Sequence, residues 1–246
     1  MKLYLSCAVG SSSGVLALAA RWSAYLNAPL NPSTTTIFTH HLQCTENGLR
    51  LIDLEGRKLE IDFDENHLDY KRKHRGKSEL IAKALGASKG VKSVLDLSVG
   101  MGVDSVFLAQ LGFQVCGVER SGVLFALLSE AFARTQQKVL AGYELHHADS
   151  FDFLNEHKDK FQVDAIYFDP MYPHKKKTAL PKQEMVVFRE IVGHDEDAKK
   201  VLEAALQWRC QRVVVKRPLL AEQLLPGVSH AFVGKLIRYD TYIVRG

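Results

Sequence analysis

Two glycines and an acid follow predicted strands in the middle of the chain, in an arrangement that suits a nucleotide-like ligand. Residues 94–104 read VLDLSVGMGVD, so that Gly100 and Gly102 come directly after an apolar strand. Glycines at this place let a bound nucleotide approach the backbone closely. Glu119 ends the next apolar segment, and its carboxylate can accept hydrogen bonds from both hydroxyls of a ribose. We therefore predict a site for a ribosylated cofactor; the alternatives are a plain strand-to-helix turn and a solvent-facing acid.

The glycine spacing distinguishes two kinds of cofactor. A dinucleotide site has a third glycine at the position that Ser105 occupies here, although a NAD site would use Glu119 in the same way. Asp96 precedes the first glycine by four residues, which resembles the first motif of the class I S-adenosylmethionine (SAM) methyltransferases. In that class an acid after the third strand lies near the adenine amine. Asp149 has this position, but an acid at this position is a helix cap as often as it is a ligand.

A second motif lies at the end of the fourth predicted strand. Asp169-Pro170-Met171-Tyr172 resembles the Asp/Asn-Pro-Pro-Tyr motif of enzymes that methylate exocyclic amines on nucleobases. Such an amine is a poor nucleophile because its lone pair is delocalised into the ring. The Asp169 carboxylate and the Pro170 carbonyl, which the fixed φ of proline holds outward, can polarise the N–H, and Tyr172 offers a π-face to the base. The alternative is an Asp-Pro turn beside a buried tyrosine.

Most of the chain is similar to one bacterial family, RsmJ, which methylates guanine N2 in 16S ribosomal RNA. The similarity lies in the run DPMYPHKKK at 169–177, in RVVVKRP at 212–218 and in AARW at 19–22. It implies SAM contacts at Val103, Asp104, Glu119, Arg120, Asp149, Ser150 and Asp169. The family has a basic residue where Val103 stands, so that this contact would be through the backbone. With Asp96, Gly100 and Gly102 these residues form the predicted cofactor site, and Asp169, Pro170 and Tyr172 form the predicted catalytic site.

The order of elements predicts an α/β fold with a small additional subdomain. From residue 91 short apolar strands alternate with helices, as in a Rossmann-like class I methyltransferase sheet with helices on both faces. The first part of the chain lacks this rhythm: it shows a helix at 14–26, capped by Ser13, and antiparallel strands within 48–63. We predict an α+β subdomain at 1–68 and a methyltransferase domain at 69–246.

Composition sets the broad class. The chain has 246 residues, of which 46% are hydrophobic and 24% charged, which excludes a disordered or fibrous protein. We see neither a signal peptide nor an apolar run long enough for a membrane helix. Four scattered cysteines suit a reducing, cytoplasmic compartment, and no ligands have metal spacing.

Three basic clusters, within 71–77, 175–182 and 209–217, point to a polyanionic partner. A net charge of +4 and a pI near 8.8 support such a partner, although a charge run is usually a solvated face. The family resemblance implies that the partner is 16S ribosomal RNA or the small ribosomal subunit. The predicted RNA-binding residues are Lys73, Arg75, His174, Lys175, Lys176, Lys177, Lys216 and Arg217. The alternative functions are amine methylation of DNA or protein, and RNA binding without catalysis. A NAD-dependent oxidoreductase is least favoured.

Overall fold

The computed structural model describes residues 1–34, 37–64, 75–158, 160–171, 183–192 and 196–244, with the backbone alone at 75–79. The strands in these residues are β1 (Leu3–Ser6), β2 (His40–Thr45), β3 (Gly48–Asp53), β4 (Lys58–Glu60), β5 (Ser93–Asp96), β6 (Gln114–Glu119), β7 (Glu144–His147), β8 (Ala165–Phe168), β9 (Arg212–Pro218), β10 (His230–Val233) and β11 (Ile237–Ile243). The α-helices are α1 (Ser13–Leu26), α2 (Arg75–Leu85), α3 (Val103–Gln110), α4 (Gly122–Arg134), α5 (Ser150–His157), α6 (Gln183–Val192) and α7 (Ala198–Ala205).

These elements separate into two compact units. The first contains β1–β4 with α1, α4 and α6, and the second contains β5–β11 with α2, α3, α5 and α7. No helix among the described residues is long and apolar enough to cross a membrane. The predicted boundary at 68/69 lies outside the described residues and stays a prediction. The structure adds that α4 and α6, which come later in the chain, belong with the N-terminal strands.

The first unit is built on a four-stranded sheet in the order β1-β2-β3-β4. β1 and β2 are parallel and the other pairs antiparallel. The Trp22 indole of α1 donates to the Glu130 carboxylate of α4 at 3.0 Å. After the predicted Glu55-Gly56 turn, Arg57 donates to Glu190 of α6 at 2.8 Å. Polar contacts thus join α4 and α6 to the N-terminal part of the chain.

Three features of this unit differ from the sequence prediction. The cap of α1 is Ser12 rather than Ser13, because the Ser12 hydroxyl accepts the Val15 N–H at 3.3 Å. β2 was missed because its buried positions include His40, which weakens the alternation of apolar residues. The helix α6 was also missed; it has only two buried side chains, Val187 and Phe188.

The second unit confirms the predicted α/β fold. Its seven-stranded sheet has the order β10-β11-β9-β8-β5-β6-β7, in which β5–β9 are parallel and the β10–β11 hairpin is antiparallel. Every residue of β8 is buried, as expected for a parallel strand whose two faces are covered. On one face, Leu95 and Ile166 belong to a core with Leu202 of α7 and Trp208.

The strand order explains where a ligand would bind. From β5 the chain moves first to β6 and β7 on one side, and then crosses to β8 and β9 on the other. Ligands of open α/β sheets bind at the carboxyl ends of the strands beside such a reversal. The predicted cofactor and catalytic residues that the structure describes all lie at or just after the carboxyl ends of β5, β6, β7 and β8.

Candidate active site

The loop from β5 to α3 turns at two glycines. Gly100 and Gly102 have φ angles of 57° and 76°, in the left-handed region that favours glycine. The Gly102 N–H donates to the Val99 carbonyl at 2.8 Å, and α3 begins at Val103, whose side chain is exposed. The loop therefore brings bare backbone and a helix N-terminus to the ligand edge of the sheet.

Glu119 ends β6 directly beside this loop. Its Oε2 atom accepts the Gly100 N–H at 2.9 Å, and the residue is only 5% exposed. A carboxylate has about four acceptor sites, so this bond is compatible with also accepting a ribose hydroxyl. The predicted acid and the predicted glycine loop therefore form one structure.

Gly117, which we did not predict as a site residue, allows β6 to lie close to the Tyr143 and Val99 side chains. A Cβ atom at this residue would lie 2.2 Å from the Tyr143 hydroxyl and 2.5 Å from the Val99 side chain. Both distances are shorter than van der Waals contact, so any larger residue would require the Tyr143 and Val99 side chains to shift. The available signal was a glycine inside an otherwise apolar strand, which marks a close approach.

Asp96 lies beneath the loop, which corrects its prediction as a cofactor ligand. Its side chain is fully buried; Oδ1 accepts the Ser98 N–H at 2.9 Å and Oδ2 accepts the Ser105 hydroxyl at 2.5 Å. The Tyr143 hydroxyl donates in turn to Ser105 at 2.8 Å. Because both oxygens are engaged within the protein and no surface is exposed, Asp96 stabilises the loop and does not reach a ligand.

Because Asp96 is buried, its ionisation makes the stability of the fold depend on pH. Burial raises the pKa of Asp96 to about 7 from its ordinary value of 3.8, although the hydrogen bonds from Ser105 and Ser98 lower it. The folded protein thus binds this proton more tightly than the unfolded chain, and ionisation destabilises the fold as the pH rises from about 4 to about 7. We expect Asp96→Asn, which cannot ionise, to gain stability relative to the wild type over this range.

Urea unfolding of both proteins at about pH 5 and about pH 8 measures this effect. The expected result is a difference in free energy of unfolding that shifts in favour of Asp96→Asn at the higher pH. A difference that is the same at both pH values would contradict the raised pKa.

The residues after β7 hold a second loop at the same edge of the sheet. Oδ1 of Asp149 caps α5 by accepting the N–H groups of Phe151 at 2.9 Å and Asp152 at 3.3 Å. The Ser150 hydroxyl donates to the Leu97 carbonyl at 2.6 Å. The capping interpretation of Asp149 is therefore correct, and Oδ2 has no partner among the described residues.

The Asp-Pro turn is tied to the glycine loop. The Asp169 N–H donates to the Ser98 hydroxyl at 2.7 Å, and Pro170 is buried. Ser98 therefore contacts both Asp96 and Asp169, which brings the two predicted motifs into one site. The predicted catalytic Tyr172 lies outside the described residues.

Lys216, in the second half of β9, contacts the same two motifs. Its Nζ atom donates to Asp104 at 2.6 Å and to Asp169 at 2.7 Å. The buried Tyr167 hydroxyl also donates to Asp104, at 2.6 Å. Burial by itself lowers the pKa of Lys216, but the charges of the two carboxylates raise it well above its ordinary value. The ammonium therefore stays protonated and pairs with both acids.

These contacts correct two of the predicted RNA-binding residues. The ammonium of Lys216 is engaged by two carboxylates, and Arg217 is only 2% exposed and donates to the Glu222 carbonyl. Neither side chain is placed to hold a phosphate. The Arg75 backbone lies in α2. Lys73 and the run from His174 to Lys177 lie outside the described residues, and their role stays a prediction.

Two further predictions concern Arg120 and metals. The Arg120 side chain is partly exposed and forms an ion pair with Asp197 at 3.6 Å.

Cys116, Glu144 and His146 place one possible ligand atom each within 4.8 Å of one another, a group that sequence spacing did not show. Burial raises the pKa of the Cys116 thiol to about 12, so the thiolate that binds metals is disfavoured there. The expected absence of a metal stays a prediction.

The fold and the site together define a class of protein, the SAM-dependent methyltransferases with a Rossmann-like sheet. A family of SAM-dependent methyltransferases matches residues 27–244 of the chain. A solved SAM-dependent methyltransferase from Neisseria gonorrhoeae shares the fold with a TM-score of 0.77 and 27% identity, over 98% of this chain and 96% of that one.

Within this class the chain belongs to the family of ribosomal RNA small subunit methyltransferase J. The protein of that name from Bdellovibrio bacteriovorus is 62% identical, over 97% of this chain and 95% of its own length. A Pseudomonas fluorescens protein of the same name is 38% identical, over 92% of this chain and 90% of its own. The resemblance inferred from the motifs is confirmed.

Proposed function

We propose that this protein transfers a methyl group from SAM to the exocyclic N2 amine of a guanosine in 16S ribosomal RNA. The observation that carries the proposal is the position of Asp169, an acceptor fixed to the glycine loop through Ser98 at the ligand edge of the sheet. The family name of the relatives, which specifies RNA of the small ribosomal subunit, supports the choice of substrate.

The described residues fit SAM. Gly100 and Gly102 expose backbone at the N-terminus of α3, Glu119 is anchored beside them as an acceptor for the ribose hydroxyls, and Asp149 retains one oxygen for the adenine amine. When bound, SAM supplies a methyl group that its sulfonium already activates. The protein is therefore required mainly to orient the two reactants and to accept the amine N–H.

The chain's own residues meet the second requirement at the Asp-Pro turn. The Asp169 carboxylate and the Pro170 carbonyl accept the N–H groups of the amine, which orients its lone pair and takes up the positive charge that develops on nitrogen. Tyr172 would stack on the base. Bacterial ribosomal RNA is a cytoplasmic substrate, so the proposal includes a cytoplasmic location and a part in ribosome biogenesis through rRNA processing and methylation.

Methylation of purified 16S RNA and of intact small subunits with radiolabelled SAM tests this function directly. We expect label in RNA, recovered as N2-methylguanosine after digestion, and none in DNA or protein substrates. Label in DNA or protein would support the alternative amine methyltransferases. RNA binding without label in any substrate would indicate a protein that has lost catalysis. Calorimetry with SAM and with NAD, in which only SAM should bind, checks the cofactor independently.

The RNA partner leads to a prediction for the lysine run that follows the catalytic turn. Replacing Lys175, Lys176 and Lys177 with alanine should weaken RNA binding irrespective of sequence, because phosphate contacts are lost. The slope of log K against log salt should become shallower by roughly 0.7–0.9 for each lost contact. Affinity for SAM should not change.

The matched control replaces three exposed lysines elsewhere, Lys89, Lys138 and Lys199, with alanine. This control removes the same charge but should leave the salt slope closer to that of the wild type. RNA titrations at two or more salt concentrations compare the three proteins. Equal slopes for the wild type and for the Lys175–Lys177 variant would show that the run is a solvated loop.

A further inference from the structure

Lys216 lies where the glycine loop, α3 and the Asp-Pro turn meet, with only 22% of its side chain exposed. Its contacts to Asp104 and Asp169 leave its predicted role in RNA binding without structural support. We propose that Lys216 is a positioning residue for methyl transfer, whose ammonium fixes the Asp169 carboxylate in the orientation that receives the substrate amine. This inference rests on the proposed function, in which Asp169 is the acceptor.

Lys216 supports the Asp169 carboxylate from a neighbouring strand. Asp169 follows the last residue of β8, and 35% of its side chain is exposed. The bond to Ser98 is made by the Asp169 backbone N–H, whereas Lys216 contacts the carboxylate itself. Lys216 comes from β9, which is paired with β8 on one side and with β11 on the other. A donor on a strand held at both edges is a rigid support for an acceptor on a turn.

The charges give Lys216 a second effect on Asp169. Asp104 and Asp169 accept from the same nitrogen, so the two carboxylates lie close together on either side of it. Carboxylates at such short range disfavour ionisation of each other, and an ammonium between them removes that penalty. A protonated Asp169 would lose an acceptor site. Lys216 thus keeps the carboxylate in the form that binds the amine N–H as well as in the right orientation.

The titratable groups that face this position are Asp96 of β5, Asp104 of α3, Tyr167 of β8, Asp169 of the turn and Tyr239, the register partner of Lys216 on β11. Asp96, Tyr167 and Tyr239 must be separated from the effect of the two paired carboxylates. Burial, followed by the charges of Asp104 and Asp169, raises the pKa of Tyr167 well above its ordinary value, so that its phenol stays neutral. Besides burial, the charges of Asp104 and Asp169 also raise the pKa of Asp96, so Asp96→Asn is combined with both the wild type and Lys216→Met. A change in the pH profile that remains without Asp96 reports on the two paired carboxylates.

The test compares Lys216→Met and Lys216→Arg with the wild type, and uses Lys199→Met, an exposed lysine of α7, as the matched control. With 16S RNA as substrate, Lys216→Met should lower kcat by about 30-fold or more, and Lys216→Arg should recover part of the loss. The acid limb of the kcat–pH profile should move to higher pH in Lys216→Met by about one unit. Lys199→Met should behave as the wild type.

A second variant covers the case in which Lys216→Met folds poorly, as monitored by thermal melting. Adding Asp104→Asn to Lys216→Met removes one of the two repelling carboxylates, so the double variant should be more stable than Lys216→Met alone. The proposal is overturned if kcat falls with an unchanged pH profile, if the double variant is no more stable, or if Lys216→Met has wild-type activity. A wild-type protein that methylates no RNA in the same assay would instead overturn the proposed function.

Discussion

Replacing Asp169 with alanine is expected to lower the turnover number for RNA methylation by about a hundredfold or more, on the order of 3 kcal/mol of activation free energy. The variant removes the acceptor that orients the amine and stabilises its developing charge. It leaves the backbone bond from residue 169 to Ser98 possible, so the fold should persist. Initial rates at saturating SAM and 16S RNA measure the loss of turnover. Calorimetry of SAM binding shows separately whether the affinity for SAM has changed.

The matched control is Asp169→Asn. Its amide retains a carbonyl oxygen that can accept from Lys216 or from the substrate amine, and the motif that the turn resembles occurs with Asn as well as with Asp. We expect this variant to retain more activity than Asp169→Ala. If Asp169→Ala methylates RNA at the wild-type rate, the assignment of the Asp-Pro-Met-Tyr motif to catalysis is wrong.

Replacing Glu119 with alanine is expected to weaken SAM binding by about 1.5–3 kcal/mol, the range for hydrogen bonds to a charged group. This is about a 10- to 150-fold increase in Kd, measurable by calorimetry. The physical reason is the loss of the acceptor for the ribose hydroxyls and of the bond that fixes the Gly100 N–H. S-adenosylhomocysteine has the same ribose, so its affinity should fall by the same factor.

Glu119→Gln divides this loss into its two parts. The amide oxygen can still accept the Gly100 N–H, but the amide nitrogen cannot accept a ribose hydroxyl. An intermediate loss is therefore expected. Affinity equal to that of Glu119→Ala would assign the whole effect to the ligand contact, whereas unchanged affinity in both variants would remove Glu119 from the cofactor site.

The sequence predicted the second unit well because its signals are local. Short apolar strands alternate with helices, and the glycines, Glu119 and Asp169 stand at strand ends, where topology alone brings them to one edge of the sheet. The predicted hairpin near the C-terminus is the β10–β11 pair. These predictions needed only periodicity and the rule that parallel strands share a carboxyl edge.

The sequence could not predict which side chains at that edge face one another. Asp96 and Lys216 both stand at or near strand ends and carry charge, so each was assigned to a ligand; the structure engages both within the protein. Ser105 lies on the helix that follows the loop, nine residues after Asp96, whereas Asp104 and Asp169 are 112 and 47 residues from Lys216. Such pairings depend on the direction of each side chain, which spacing along one strand does not give.

The sequence also could not predict that α4 belongs to the first unit, for a related reason. This helix directly follows β6 and reads as an ordinary crossover helix of the parallel sheet, yet it belongs to the unit of β1–β4. Its residue Glu130 accepts from Trp22 of α1, a contact between residues more than a hundred positions apart. The alternation of strands and helices identifies a helix but not the surface on which it packs.

The central claim is that this protein methylates guanine N2 in 16S ribosomal RNA. Mass-spectrometric mapping of modified nucleosides in 16S RNA, from cells with and without the gene, tests that claim most directly. We predict that one N2-methylguanosine disappears without the gene, returns with the wild-type protein and does not return with Asp169→Ala. Identical nucleoside maps in the presence and absence of the gene would contradict the claim.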